Sequence, residues 1–183
     1  MQCISVMNVI NEGLIQEIYR NDDIEIIYNE IAQGQVFKGH SHEESQIVYV
    51  VGGEFIFVVA DENLQVSKGD VRTAGCNVSH SAIATCDFQS IDVKCKGESV
   101  VYKESKKDDK NKEIVTNNIT IKHIFDVCDG KIVLRKDEIL LPIKGIFIAD
   151  DVLENKKMYK CNDDELEVNI EQFDIEYLIF QLN

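Results

Sequence analysis

The chain has 183 residues, of which 33 are Asp or Glu and 19 are Lys or Arg, so its formal net charge is −14. This acidity argues against a nucleic-acid or anionic-membrane partner, because phosphate affinity depends chiefly on clustered Lys and Arg. The apolar share of 44% suffices for a packed core, and the length fits one domain or a domain with a smaller one. Because the sequence shows neither a secretory signal nor a long apolar run, we expect a cytoplasmic protein.

Short apolar runs separated by turn residues dominate the N-terminal part of the chain. Residues 12–20 are compatible with a short helix, and IEIIYNEI, from Ile24, predicts a strand. QIVYVV and EFIFVV flank Gly52 and Gly53 and predict the two arms of a hairpin. Further short strands are predicted over residues 64–66, 81–85 and 89–94. Many short strands with turns between them indicate an all-β fold, an antiparallel sandwich or barrel.

A charged segment divides the chain. Residues 103–113 read KESKKDDKNKE, with nine charged residues of eleven, which is typical of a solvated loop or linker. We therefore predict one domain over residues 1–102 and a C-terminal unit over residues 114–183. The alternation of apolar and polar residues predicts strands in that unit as well.

The role of the C-terminal unit is open at this stage. Its strands either extend the first barrel, form a degenerate barrel of their own, pair across a dimer interface, or form a separate recognition module. Its single histidine, His123, is expected to be structural. We expect a homodimer that binds a small molecule.

Three of the four histidines lie in the N-terminal part. His40, His42 and Gln46 are at positions i, i+2 and i+6, so on an unbroken strand their side chains would share one face. Two imidazoles on one strand face are a rigid pair of metal ligands. His80 is the natural third ligand on a neighbouring strand, and Gln46 offers an oxygen.

Glycines frame this pattern. Gly34, five residues, His40-x-His42, three residues, Gln46, six residues and Gly53 follow in order. This spacing resembles the first motif of the cupin superfamily, with Gln in place of the usual Glu.

A second stretch resembles the second cupin motif. Gly69 is followed after five residues by Gly75-x-Asn77-x-x-His80, with Gly75 where that family has proline and Asn77 where it has glycine. The resemblance covers about residues 24–96 and implies a double-stranded β-helix, a jelly-roll barrel with a metal inside. It also implies that the metal ligands are His40, His42, Gln46 and His80.

Gln46 bears on the chemistry. A neutral amide leaves a divalent cation its full charge and makes it a stronger Lewis acid than a glutamate would. It also departs from the two-histidine, one-carboxylate set typical of non-haem iron oxygenases. We therefore expect redox-neutral chemistry, with Zn²⁺ or Ni²⁺ favoured and Fe²⁺ or Mn²⁺ as alternatives. In another arrangement Glu44, at the same parity, faces the cavity and supplies an anionic ligand instead.

The string HSHEESQIVYVVGGEFIF resembles the KdgF-type pectin-degradation cupins. That resemblance implies linearisation of ring-closed 4,5-unsaturated uronates to keto acids, with a catalytic aspartate on the strand after the last histidine. The similar segment here, SIDVK, offers Asp92 as general acid or base. Asp92 could equally point outward or pair with Lys94 or Arg72, and these two cations could hold the carboxylate of an acidic substrate.

Departures from that family, which include the residues between His42 and Gln46, leave the substrate open. Lys94 stands where the family has an aromatic residue, and the C-terminal unit has no counterpart in its single-barrel members. The first hypothesis is a metal-dependent enzyme, similar to an isomerase or lyase, acting on a small sugar acid. The second is a metal-containing ligand-binding or sensory module, and the third is an iron-dependent dioxygenase.

Overall fold

The computed structural model describes the backbone of residues 1–96, 103–106, 111–127 and 130–183, and all regular structure in these ranges is β-strand. The chain divides into two units, one formed by Val6–Val100 and the other by Met1–Ser5 with Val101–Asn183. The prediction of an all-β fold is confirmed. The described residues include no helix long and apolar enough to cross a membrane.

The described part of the first unit contains ten strands in two antiparallel sheets. Strand β1 (Gln2–Cys3) belongs to the second unit, and the ten that follow it are β2 (Val6–Asn11), β3 (Leu14–Arg20), β4 (Ile24–Ile31), β5 (Val36–His40), β6 (Ser45–Gly52), β7 (Glu54–Val59), β8 (Glu62–Ser67), β9 (Val71–Ala74), β10 (His80–Ala84) and β11 (Phe88–Cys95). The larger sheet has the order β2-β3-β4-β11-β6-β9 and the smaller one the order β5-β10-β7-β8. Two facing antiparallel sheets of this kind form a jelly-roll barrel.

The inner face of β11 changes from apolar to charged along the strand. Its inward side chains are, in order, Phe88, Ser90, Asp92 and Lys94. Phe88 stacks on Phe55 of the other sheet with ring centroids 4.3 Å apart, within the apolar core of the barrel. Lys94 lies opposite Gln46 on β6. The hydrophobic core therefore fills one part of the barrel, and polar side chains line the rest.

The segment predicted as a possible helix, residues 12–20, forms a turn at Glu12 and Gly13 followed by strand β3. β3 pairs with β4 in unbroken register from Leu14 opposite Ile31 to Arg20 opposite Glu25, and it pairs with β2 on its other side. So short an isolated helix is marginal in water, whereas the two neighbouring strands supply hydrogen bonds along the whole segment.

The predicted arms of a hairpin are both strands, but they do not pair with each other. β6 pairs with β9 and β11, and β7 pairs with β8 and β10, so the chain crosses between sheets at Gly52 and Gly53. Gly53 has a φ of 75°. A Cβ built on Gly53 would lie 2.2 Å from the carbonyl oxygen of Asp87. Only glycine fits this crossing.

The second unit is a large antiparallel sheet. Its remaining strands are β12 (Lys103–Lys106), β13 (Asn111–Val115), β14 (Ile119–Val127), β15 (Gly130–Arg135), β16 (Ile139–Ile148), β17 (Val152–Leu153), β18 (Tyr159–Lys160) and β19 (Glu165–Leu182). The order is β1-β18-β16-β19-β14-β13-β12, with β15 also paired to β19 and β17 to β16. Its core is apolar and includes Leu134, Phe147 and Val168.

In the charged segment, residues 103–106 and 111–113 form strands where a loop or linker was expected. The segment contributes β12 and most of β13, which pair antiparallel with each other, while β13 also pairs with β14. Residues 107–110 lie outside the described residues. Backbone hydrogen bonds do not require apolar side chains, and Ile114, just past the segment, is buried and anchors β13. The unit boundary lies at Val101, and residues 1–5 belong to the second unit.

Candidate metal centre

Three histidines meet inside the first unit. His40 ends β5 and lies opposite His80, which begins β10, while His42 follows in the bend before β6. Their ring centroids are 4.4 Å apart for His40 and His80, 5.0 Å for His42 and His80, and 5.9 Å for His40 and His42. One ligand atom from each lies within 4.8 Å of the others. Such a group fits a divalent metal ion.

His40, His42 and Gln46 do not lie on one unbroken strand. β5 ends at His40, and Gln46 lies on β6 in the other sheet. The residues still converge because the two sheets face each other across the interior. A sequence period could not show this, since it depends on where the strand ends.

All three rings are oriented in the same way. Nδ1 of each donates to a backbone carbonyl two residues away, at 2.9 Å from His40 to Lys38, 2.8 Å from His42 to Glu44 and 2.9 Å from His80 to Val78. A carbonyl oxygen only accepts, so Nδ1 carries the proton and Nε2 of each neutral ring presents a lone pair. Metal-binding histidines are commonly held by such bonds from the other ring nitrogen.

His80 provides an independent test of the fit to a metal. Its Nε2 is buried and has no hydrogen-bond partner among the described residues. Burial lowers the pKa of His80, and the neighbouring His40, His42 and Lys94 lower it further, against the bond to Val78. A neutral imidazole with a buried, unsatisfied Nε2 is the state that a metal ion requires.

Gln46 lies at the edge of the triad. Its side chain is buried; its Oε1 is 2.9 Å from Nε2 of His42, and its Nε2 donates to Oδ2 of Asp92 at 3.1 Å. Glu44, the alternative oxygen donor, lines a neighbouring cavity with His42 and Lys94. Its carboxylate lies 3.6 Å from Nδ1 of His42, on the outer side of the ring, and its side chain is 39% exposed.

Asp92 faces the inside of the barrel. It lines a cavity of about 120 Å³ together with His40, Gln46, His80 and Lys94. Burial raises the pKa of Asp92 to about 6, although the hydrogen bond from Ser90 and the charge of Lys94 act in the opposite direction. A carboxyl group with this pKa can both accept and donate a proton near neutral pH.

The two cations considered for an acidic ligand are placed differently. Lys94 lines the cavity, and its Nζ is 3.5 Å from Oε2 of Glu25. Arg72 instead donates to the backbone carbonyl of Val71 and lies 3.9 Å from Asp70. Arg72 is not among the residues that line the cavity.

Sequence reasoning missed the polar residues behind Asp92. Ser90 donates to Asp92 Oδ1 at 3.0 Å and accepts from Asn29 at 3.2 Å, and Asn29 accepts from Gln16 at 2.7 Å. Ser90 is two residues before Asp92, so strand parity could have indicated it. Asn29 and Gln16 become neighbours only through the register of β3, β4 and β11.

Asn77 and His123 have structural roles. Asn77, which stands where the cupin motif has glycine, has a φ of 58°, a conformation that Asn tolerates better than most residues. His123 is buried in the second unit, with its Nε2 2.9 Å from Glu176.

These features are those of a cupin domain, and a comparison with family models gives the same family. Residues 28–89 match the model of the cupin domain family, Cupin_2, over a span that includes the three histidines and Gln46. That match covers about a third of the chain, and the cupin assignment applies to this part. No curated protein sequence matches the chain significantly.

Solved structures share this fold. AerE from Microcystis aeruginosa has 16% identity and a TM-score of 0.75, covering 99% of this chain and 98% of its own. Oxalate decarboxylase from Bacillus subtilis, described by its Mn(II) centres, has 11% identity and a TM-score of 0.64, covering 98% of this chain and 76% of its own. KdgF from Halomonas sp. has 26% identity and a TM-score of 0.46, covering 51% of this chain and 88% of its own.

Proposed function

We propose that the protein is a metal-dependent enzyme that catalyses a redox-neutral reaction on a small sugar acid, such as an unsaturated uronate. The observation that carries the proposal is the position of Asp92, whose carboxyl group lines the same cavity as His40, Gln46 and His80. A proton-transfer group beside a metal site is what such a reaction requires.

The three Nε2 atoms, with Oε1 of Gln46, would hold the metal ion. Bound there, a divalent cation polarises a carbonyl or hydroxyl oxygen. The ligand set of imidazoles and one amide is neutral, which favours Zn²⁺ or Ni²⁺ in Lewis-acid chemistry over an iron oxygenase. Mn²⁺ is an alternative, since the similarly folded oxalate decarboxylase is described by its Mn(II) centres.

The remaining cavity residues bind and orient the ligand. Asp92 takes a proton from one carbon or hydroxyl of the substrate and returns it to another. Glu25 contacts both Arg20 and Lys94, so these three side chains carry a net charge of +1. Lys94 thus offers a positive charge to a substrate carboxylate in an otherwise acidic chain. Phe55, Phe57 and Phe88 form an apolar wall that excludes water.

The test is turnover of a 4,5-unsaturated galacturonate by protein loaded with Zn²⁺ or Ni²⁺. The conjugated enol absorbs in the ultraviolet, and we expect this absorbance to fall with wild-type protein. Asp92→Asn, assayed at saturating metal, should be slower by about 100-fold or more. Glu44→Gln, which removes a carboxylate outside the cavity, should retain activity. Lys94→Met should mainly raise KM.

Failure of turnover by the loaded wild-type protein would contradict the proposal for this substrate. Binding of the uronate without any turnover, measured by calorimetry, would instead support a ligand-binding or sensory module. Oxygen uptake by the Fe²⁺-loaded protein would support the dioxygenase.

A further inference from the structure

Asp92 contacts the amide that the metal centre uses. Its Oδ2 accepts from Nε2 of Gln46 at 3.1 Å, and its Oδ1 accepts from Oγ of Ser90 at 3.0 Å. With its NH₂ group held by the carboxylate, the Gln46 amide turns its oxygen toward Nε2 of His42, 2.9 Å away.

We propose that Asp92 is a positioning residue for Gln46. Asp92 fixes the amide as an oxygen ligand. It also supplies a negative charge, which Gln46 lacks, through a hydrogen bond to this ligand. The inference rests on the proposed metal centre and not on turnover. It explains how a neutral glutamine replaces the glutamate of the cupin motif.

The orientation of the carboxylate is itself determined. Gln16 donates to Asn29 at 2.7 Å, Asn29 donates to Ser90 at 3.2 Å, and Ser90 donates to Asp92. All donors in this series of hydrogen bonds point toward the carboxylate, so Oδ1 of Asp92 only accepts. Its second oxygen is thereby directed to Gln46. This series of hydrogen bonds crosses β3, β4 and β11, three adjacent strands of one sheet.

The charge balance supports the same role. Three neutral imidazoles and an amide leave both positive charges of a divalent cation uncompensated, and Lys94 adds a positive charge to the same cavity. Electrostatic interactions are stronger in such a partly desolvated site than in water. Asp92 is the carboxylate that lines this cavity among the described residues. A hydrogen-bonded partner behind a metal ligand commonly changes metal affinity by about 10- to 100-fold.

Glu44 is the matched control. Its carboxylate lies 3.6 Å from Nδ1 of His42, so it is also close to the triad, but its side chain is 39% exposed and lines the neighbouring cavity with His42. If negative charge near the histidines were all that mattered, Glu44 and Asp92 would have similar effects. If the contact with Gln46 is what matters, only the replacement of Asp92 will weaken Zn²⁺ binding.

The experiment is a double-mutant cycle with Zn²⁺ affinity as the readout. Wild type, Gln46→Glu, Asp92→Asn and the double variant are titrated against a chromophoric chelator, without substrate. With Gln46 present, Asp92→Asn should weaken Zn²⁺ binding by about tenfold or more. In the Gln46→Glu background, the same substitution should change it by less than about threefold, because the introduced glutamate supplies its own charge and oxygen. Glu44→Gln should have a similarly small effect.

Equal losses from Asp92→Asn in both backgrounds, or no loss in either, would overturn the inference. Ser90→Ala keeps the charge and removes one of the hydrogen bonds that orient the carboxylate, so it serves if Asp92→Asn does not fold. It should weaken Zn²⁺ binding with Gln46 present and leave it unchanged in the Gln46→Glu background. Equal Zn²⁺ affinities of wild type and His42→Ala would overturn the metal centre itself, whereas loss of turnover alone would leave this inference standing.

Discussion

Nε2 of His42 and Oε1 of Gln46 lie 2.9 Å apart, and when the His42 ring carries its only proton on Nδ1 each presents a lone pair to the other. Nδ1 of His42 donates to the carbonyl of Glu44, and the amide hydrogens of Gln46 face Asp92. Two acceptors at this distance repel each other unless a proton or a metal ion lies between them. The fold thus holds these atoms in an arrangement that a bound cation relieves.

Metal binding should therefore stabilise the protein. We expect added Zn²⁺ to raise the midpoint of thermal unfolding and a chelator to reverse the shift, since a ligand at 100 times its Kd contributes about 2.7 kcal/mol. His42→Ala should abolish the shift. His123→Gln, in the second unit, should keep it. Equal shifts in wild type and His42→Ala would contradict the site.

Replacing His80 should abolish metal binding while leaving the stability of the metal-free protein nearly unchanged. Replacement by leucine removes the buried, unpartnered Nε2 and the bond from Nδ1 to the carbonyl of Val78. The gain from removing an unsatisfied polar atom and the loss of one hydrogen bond are each about 1 kcal/mol and oppose each other. In metal-free protein we expect His80→Leu to change the free energy of unfolding by less than about 1 kcal/mol, as measured by urea denaturation. Zn²⁺ binding should be lost.

Local patterns in the sequence predicted strands such as β4, but not β3, β12 or β13, and they pointed to His40, His42 and His80 as a group. β4 coincides with IEIIYNEI because its apolar and β-branched residues fit a pleated, half-buried surface. Strand pairing was not accessible, because partners are chosen by contacts distant in sequence. The β6 to β7 turn looked like a hairpin, yet Gly53 leads the chain into the other sheet. The contact of Asp92 with Gln46 likewise depends on the register of β6 and β11.

Gly53 and Gly34 allow the cost of a side chain at this crossing to be measured. Both have positive φ, 75° and 87° respectively. A Cβ at Gly34 would meet nothing within 4 Å, whereas one at Gly53 would lie 2.2 Å from the backbone oxygen of Asp87. Gly34→Ala should cost about 1–2 kcal/mol, the cost of left-handed backbone alone. Gly53→Ala should cost at least about 3 kcal/mol, since backbone must move. Similar losses in urea denaturation would show that the crossing relaxes easily.

We expect the contact between the two copies of a homodimer at the edge strand β2. Among the described residues it has a strand partner on one side only, and Val6, Met7, Val9 and Ile10 are 51–70% exposed. An unprotected apolar edge readily pairs with another strand. Because β2 contains no charged residue, two copies can pair antiparallel without like-charge contacts, despite the net charge of −14 on each chain.

A second copy of the chain is therefore the partner that we expect at β2. Val9→Glu would place two carboxylates in the paired strands and should shift the protein to monomer in sedimentation equilibrium, because like charges across a strand pair repel. Val152→Glu, at a residue that is 66% exposed in the second unit, is the matched control and should leave the association unchanged. A monomeric wild type, or a dimer unaffected by Val9→Glu, would show that β2 is not the contact between copies.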